Sequence, residues 1–346
     1  MVAAHHRAEE RQQLHKACAA TYAAPMTRPL RIVLLATGGT IACTTTTGVA
    51  VKTLRAADLL ATVPALPGVE VQGSDFGLTS SWDLTPPTML EVAHRVEELL
   101  VEHDAVVVSQ GTDTLEETAA LLSFAVRSPR PVVVTGAMRA SDEPGADGAR
   151  NLQAALLVAA HPDAAGRGAL VVLDDDVHRA VTVTKRHSST TSTFGSPNAG
   201  PVGLVHGDRV IFVAPPSPLT RYDVVHAAAD VPLLVVAAGA PRRVLEAAVA
   251  GADGLVVARF GLGHAPAAWM PVLGAAVDAG MPVVMASRTG AGPVGGRYAG
   301  PGGDLDVADR GLLSAGLRSP ATARIELICA LGAGADPVEA FARTLP

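Results

Sequence analysis

Short apolar runs alternate along the chain with longer segments in which apolar residues return at helical spacing, the pattern of strands joined by crossover helices. "LRIVLLA" (30–36) is the first strand. "PPTMLEVAHRVEELL" (86–100) predicts a helix with Thr85 as N-cap and prolines in its first turn, where a missing N–H costs nothing. The strand "AVVVSQ" (105–110) follows, and the order then repeats through the helix "TLEETAALLSFAV", the strand "PVVVTGA", the helix "ARNLQAALLVAA" and the strand "ALVVL". Residues 28–205 are therefore expected to form a larger, mostly parallel α/β domain. From 206 to 231 both periods fade and "APPSPLTRYD" brings three prolines, which predicts a linker. Over 232–346 the alternation restarts in "LLVVAA", "VLEAAVA", "GLVVA", "AWMPVLGAAVDA" and "PVVMAS", predicting a smaller parallel α/β domain closed by the helix "ATARIELICAL" (321–331). The glycine-rich "GAGPVGGRYAGPGG" (290–303) has neither period and is expected to be a mobile loop near the ligand end of that second sheet.

Composition agrees with this α/β class. Of 346 residues, 49% are apolar and 17% charged, which marks a globular chain, and a single core stops growing near roughly 250 to 300 residues, so two domains are expected. Aromatic residues are only 3%, which suits small-residue helices on parallel sheets better than an aromatic-rich sandwich. The net charge of -6 includes no basic stripe or acidic tail, so neither nucleic acid nor a membrane surface is indicated as partner, and a small-molecule substrate is the default. Three scattered cysteines, Cys18, Cys43 and Cys329, make neither a disulfide framework nor a zinc site, as expected in a reducing compartment. Residues 1–27 carry charges and glutamines where a signal peptide needs an apolar core, so they are read as a disordered extension of a cytoplasmic protein, with Met26 as an alternative start. No run reaches the roughly 18 apolar residues of a membrane helix.

Ligands of open parallel sheets bind beyond the carboxyl ends of the strands. Three polar stretches are expected there: "TGGT" (37–40), "SQGTDT" (109–114) and "TVTKR" (182–186). If their strands are neighbours, Thr40, Thr112, Asp113 and Lys185 converge. The first stretch lacks the G-x-G-x-x-G of a dinucleotide turn, since Thr40, Ile41 and Ala42 follow Gly38 and Gly39. It instead puts a hydroxyl beside free backbone amides able to hold an oxyanion. Asp113 and Thr112 stand at a helix start, where a capping box with Glu116 is the plainer reading, although an acid there can also pair with a substrate ammonium. Of 27 lysines and arginines only Lys16, Lys52 and Lys185 are lysine. A lysine kept beside apolar "AVTVT" suggests a proton-accepting use that guanidinium cannot serve, against the alternative of a solvated edge-strand lysine. Asp174, Asp175 and Asp176 with His178 look metal-like, but consecutive carboxylates cannot all face one ion, and a solvated loop is the better reading. No P-loop, kinase signature or G-x-S-x-G elbow is present.

Together these stretches resemble the bacterial asparaginase and glutaminase-asparaginase family. "LLATGGTIA" (34–42) looks like its first signature and "VVVSQGTDTLEETA" (106–119) like its second, while "PVVVTGAMR", "ADGARNL", "VTK" (183–185) and "SPNAGPVG" (196–203) follow in the family's order. The resemblance implies hydrolysis of the side-chain amide of L-asparagine, or of L-glutamine, to the acid and ammonia without cofactor or metal. Thr40 then corresponds to the nucleophile that forms an acyl-enzyme, and Thr112 and Lys185 to the pair that handles protons or positions water. Asp113 corresponds to the carboxylate that grips the substrate ammonium and Ser81 to the serine that binds its carboxylate. Backbone amides near Gly39 or Gly111 are placed to hold the oxyanion. By residue type alone, either Thr40 or Thr112 has a hydroxyl at a strand end. Two departures stand out: "CTTTTGVAVKT" (43–53) lacks the tyrosine that many relatives use to activate the nucleophile, and Trp82 stands where several carry glutamine, so a reshaped pocket is expected. The family also implies a homo-oligomer, dimer or tetramer, with the segment around Tyr298 contributing in trans. The rival readings are an ammonia-releasing subunit of a tRNA-dependent amidotransferase, for which 27 residues before the first strand are too few to supply the usual extra domain, and a catalytically silent amino-acid-binding protein.

Overall fold

The computed structural model describes residues 28–46, 49–294 and 296–342, so the expected extension 1–27 lies outside the described residues. The elements of the first half are β1 (Leu30–Gly38), β2 (Cys43–Thr46), β3 (Val49–Lys52), α1 (Ala56–Leu60), β4 (Val69–Thr79), α2 (Pro86–Glu102), β5 (Ala105–Ser109), α3 (Leu115–Ala125), β6 (Val132–Thr135), α4 (Gly148–Ala160), β7 (Ala169–Leu173), β8 (Asp176–Arg179), β9 (Thr184–Lys185), β10 (Phe194–Gly195), β11 (Gly203–His206) and β12 (Arg209–Phe212). Eight of the strands form one sheet in the order β12-β11-β8-β7-β6-β5-β1-β4. The strands from β4 across to β7 are parallel. The remaining pairs, β7-β8, β8-β11 and β11-β12, are antiparallel. Helix α2 begins as the sequence predicts, with Thr85 Oγ1 accepting from the Thr88 amide and Pro in the first turn.

The parallel strands are buried on both faces, which is why their sequences are near-continuous apolar runs. In β1, Val33 and Leu35 pack towards α2 and α3, whereas Ile32, Leu34 and Ala36 pack towards α1 and α4. The sheet does not stop where the periods fade. Arg209–Phe212 forms its edge strand, and only 213–232 lack helix and strand. This strand has four residues, none fully buried, and its brief apolar run "VIFVA" (210–214) is too short for periodicity alone to assign.

The second half contains β13 (Leu233–Val235), α5 (Arg242–Val249), β14 (Leu255–Arg259), α6 (Met270–Asp278), β15 (Val283–Ser287), α7 (Asp304–Asp309), β16 (Leu313–Ser314), α8 (Pro320–Gly332) and α9 (Pro337–Ala342). Its four strands pair in the order β13-β14-β15-β16, all parallel. Helices α5 and α6 cover one face through Leu245, Met270 and Leu273. On the other face, Ile325 and Ile328 of α8 meet Val256 and Val284 and join the same core as α2 and α3. Helix α8 is thus a layer shared between the two sheets. Just before it, Arg318 forms a buried ion pair with Glu326 of the helix, whose Oε1 also accepts from the Tyr222 hydroxyl at 3.1 Å. Both charges are paired and hydrogen-bonded, the condition under which buried charges are tolerated.

Candidate active site

Strands β4, β1 and β5 are adjacent and parallel, so their carboxyl ends share one edge. β1 runs into Gly39, with φ 86° and ψ -177°, a backbone region open essentially to glycine alone. A Cβ on Gly39 would stand 2.1 Å from the Gly111 amide nitrogen, and one on Gly111 would stand 2.6 Å from Ser81 Oγ. The turns after the three strands therefore touch through backbone that has no side chain. Thr40 opens a single 3-10 turn, Thr40–Ala42, closed by the Ala42 amide on Gly39 O at 3.0 Å and anchored by buried Ile41 and Ala42. Thr40 itself is half-buried, and its hydroxyl makes no hydrogen bond with another described residue. Gly39→Ala is expected to cost about 3 kcal/mol, from a backbone conformation alanine resists together with overpacking against Gly111. Chemical denaturation checks this against Gly68→Ala, whose site has φ +73° but nothing within 4 Å. Equal losses would mean that the turns do not constrain one another.

The second hydroxyl, on Thr112, is buried after β5 and accepts from Lys185 Nζ at 2.9 Å. The same ammonium donates to Asp113 Oδ1 at 3.0 Å, and Asp113 Oδ2 accepts from Ser81 Oγ at 3.0 Å. Thr112, Lys185, Asp113 and Ser81 thus form one continuous chain of hydrogen bonds. Burial pushes the Asp113 carboxyl up, but the hydrogen bonds from Lys185 and Ser81 outweigh it and hold the group below its ordinary value. Thr114 Oγ1 donates to Ser81 O at 2.8 Å and fixes the turn that follows β4.

Lys185 does not stand at the end of a neighbouring parallel strand. It lies on a separate antiparallel ribbon, β9-β10, in which it pairs with Phe194. The chain leaves antiparallel β8 and turns through residues 180–183, and its Lys185 amide is clamped to Glu116 Oε2 at 2.6 Å. The capping-box reading of Asp113 with Glu116 is corrected by the same contacts. Helix α3 has Thr114 at its N-cap with no side-chain cap, and both carboxylates are turned to Lys185. Burial raises the Glu116 carboxyl despite the bonds it accepts from Thr184 and the Lys185 amide.

Among the described residues no cluster of His, Cys, Asp and Glu is arranged to hold a metal. Asp174 and Asp175 form a left-handed turn, and Asp175 pairs with Arg150 at 2.8 Å. His178 is buried, with Nδ1 on Ser196 Oγ at 3.1 Å, and burial lowers it to about 4. Cys43 is buried, its Sγ 3.4 Å from Gly39 O. The sequence leads one to expect Trp82 in the pocket, yet this residue is 72% exposed. Tyr298 packs edge-on against His264 in its own half, with ring centres 4.8 Å apart. The "SPNAGPVG" stretch ties the two halves together, since Asn198 accepts from the Gly292 amide at 2.8 Å and donates to Leu317 O at 3.0 Å. Sequence reasoning passed over Lys52, Ser80 and Thr114. The scarcity of lysine that draws attention to Lys185 marks Lys52 equally.

Comparison with known proteins adds independent findings. Residues 31–218 match the family model described as Asparaginase, N-terminal, and residues 230–342 the one described as Glutaminase/Asparaginase C-terminal domain. The chain is 40% identical over 314 residues to a protein described as a probable L-asparaginase from Deinococcus radiodurans, covering 88% of this chain and 94% of that one. It is 33% identical over 331 residues to a glutamyl-tRNA(Gln) amidotransferase component from Halobacterium salinarum, covering 90% of this chain and 77% of that protein. A solved structure, described as a probable cytoplasmic L-asparaginase from Campylobacter jejuni, superposes with a TM-score of 0.80 at 30% identity, covering 91% of this chain and all of that one (100%).

Proposed function

This chain belongs to the asparaginase family of enzymes, and we propose that it hydrolyses the side-chain amide of L-asparagine to L-aspartate and ammonia through an ester on Thr40. The observation that carries the proposal is the Lys185 ammonium, bonded at once to the Thr112 hydroxyl and the Asp113 carboxylate. Thr112 is engaged by that lysine, whereas the Thr40 hydroxyl is free of partners among the described residues, which favours Thr40 as the attacking group.

In this mechanism Asp113 and Ser81 hold the ammonium and carboxylate ends of the substrate, which supplies orientation. Thr40 Oγ attacks the amide carbon, and backbone amides at Gly39 or Gly111 receive the oxyanion, a contribution of about 2.7 to 4 kcal/mol per donor in related chemistry. Lys185 passes a proton to the leaving nitrogen and regains the Thr40 proton through the Thr112 hydroxyl, so ammonia departs and the pair is reset. Water then repeats the attack on the ester and returns the proton to Thr40. The reading includes a cytoplasmic location, in keeping with the description of the Campylobacter relative, and a homo-oligomer. Full activity in a chain that sediments as a monomer would remove the oligomer. The amidotransferase reading has less support, since identity to the Halobacterium protein is 33% against 40% to the Deinococcus one.

The test is ammonia release by the purified chain on L-asparagine, L-glutamine and D-asparagine supplied separately, with kcat/KM expected to be highest on L-asparagine. A folded chain that releases no ammonia from any of the three sinks the proposal.

A further inference from the structure

Lys185 is held at both ends. Its Nζ donates to Thr112 Oγ1 at 2.9 Å and to Asp113 Oδ1 at 3.0 Å, and its backbone amide donates to Glu116 Oε2 at 2.6 Å. All three acceptors lie between Thr112 and Glu116, at the entry to α3. The ribbon that carries the lysine offers little restraint of its own, because β9 and β10 have only 2 residues each. Lys185 stands opposite Phe194, and the next amide, of Arg186, donates back across the ribbon to Thr193 O at 2.7 Å. Such bonds alternate along an antiparallel pair, so the Lys185 amide faces away from β10 and towards α3. Glu116 therefore ties the ribbon to the helix at the lysine itself.

The two adjacent glutamates of this turn face different partners. Glu117 forms an ion pair with Arg324 of α8 at 3.4 Å, whereas among the described residues no cation forms an ion pair with Glu116. Burial, and then the Glu117 charge, push the Glu116 carboxyl up against the bonds it accepts from the Thr184 side chain and the Lys185 amide. A carboxylate in such a place is disfavoured as a charge, and what it holds is the short strand that carries Lys185. Successive side chains of a strand alternate, so a slip of one residue would turn the Lys185 side chain to the other face of the ribbon. We propose that Glu116 is a positioning residue: by accepting the Lys185 amide it fixes the ribbon against α3, sets Nζ between Thr112 and Asp113, and acts on the reaction only through that lysine. The inference rests on the function proposed above. The task needs an acceptor of the right reach rather than a negative charge.

Steady-state ammonia release from L-asparagine tests it in wild type, Glu116→Ala and Glu116→Gln, with Glu116→Ala also placed in a Lys185→Met background. Glu116→Ala is expected to lower kcat about thirtyfold, within the range for a catalytic group misplaced by about 1 Å, with KM within about threefold of wild type. Glu116→Gln keeps an oxygen at the same reach to accept the amide, and its kcat is expected to stay within about threefold of wild type. In the Lys185→Met background Glu116→Ala is expected to lower kcat by less than about threefold more, because the group it positions is gone. A merely structural glutamate would lower activity by the same factor in both backgrounds. Where thermal unfolding shows that Glu116→Ala does not fold, Glu116→Asp takes its place; its oxygen is withdrawn by one methylene, and a fall in kcat of about tenfold is expected. An alanine variant, or its aspartate replacement, within about threefold of wild type overturns the assignment. So does a glutamine variant as slow as alanine, or an equal fall in the Lys185→Met background. An inactive wild type overturns the parent reading and this one together, whereas an active wild type with an unchanged Glu116→Ala variant overturns this one alone.

Discussion

Thr40→Ala is expected to lower kcat on L-asparagine by about four orders of magnitude or more, the scale seen when a covalent nucleophile is removed and only binding and oxyanion contacts remain. The fold has little stake in this side chain. Thr40 is half-buried and its hydroxyl bonds to no other described residue, while Ile41 and Ala42 anchor the turn, so the variant is expected to keep the wild-type melting temperature within a few degrees. It is also expected to keep binding L-aspartate, because Asp113, Ser81 and Lys185 are untouched. Mass spectrometry of acid-quenched wild type should detect an ester that Thr40→Ala lacks. Retention of more than a tenth of wild-type kcat would reassign the nucleophile, with Thr112 the next residue to substitute.

Lys185→Met should lower kcat/KM about a thousandfold, within the range of positioned acid-base groups. Methionine keeps much of the apolar stem but supplies no proton to the leaving nitrogen and leaves Thr112 without its donor. A second readout separates this role from simple packing. The Asp113 carboxyl is lowered only because bonds from Lys185 and Ser81 outweigh burial, so loss of Lys185 shifts it upward. A carboxyl with a raised value is protonated at higher pH, and the protonated form cannot pair with a substrate ammonium. The acid limb of the variant's kcat/KM profile should therefore move to higher pH than in the wild type. An unmoved acid limb would mean that Asp113 does not hold the substrate through its charge.

The division between what was legible in the sequence and what was not follows the range of the interactions involved. Apolar period and turn chemistry are local. They marked β1, β5, β6 and β7, the Thr85 cap of α2, and the parallel sheet of the second half. The rule that ligands gather at carboxyl strand ends was enough to single out Thr40, Thr112 and Asp113. Edge strand β12 escaped because a brief apolar run cannot be assigned by period alone, so Arg209–Phe212, inside the segment expected as a linker, belongs to the sheet.

What Lys185 and Asp113 do was decided by contacts between residues far apart in the chain. Asp113 lies where a capping box is the plainer local reading, and it pairs instead with Lys185, 72 residues away. Lys185 arrives on a two-residue ribbon whose register depends on Phe194, and it is fastened by Glu116, which no local pattern could assign to it. The contact between Gly39 and Gly111 exists only because β1 and β5 are sheet neighbours. The sequence by itself therefore determined the layers, the strand ends and most of the chemical groups at them. The tertiary structure alone decided which groups touch and carried Lys52 to Ser80, because hydrogen-bond partners across a sheet edge are set by strand order and register, which no local period encodes.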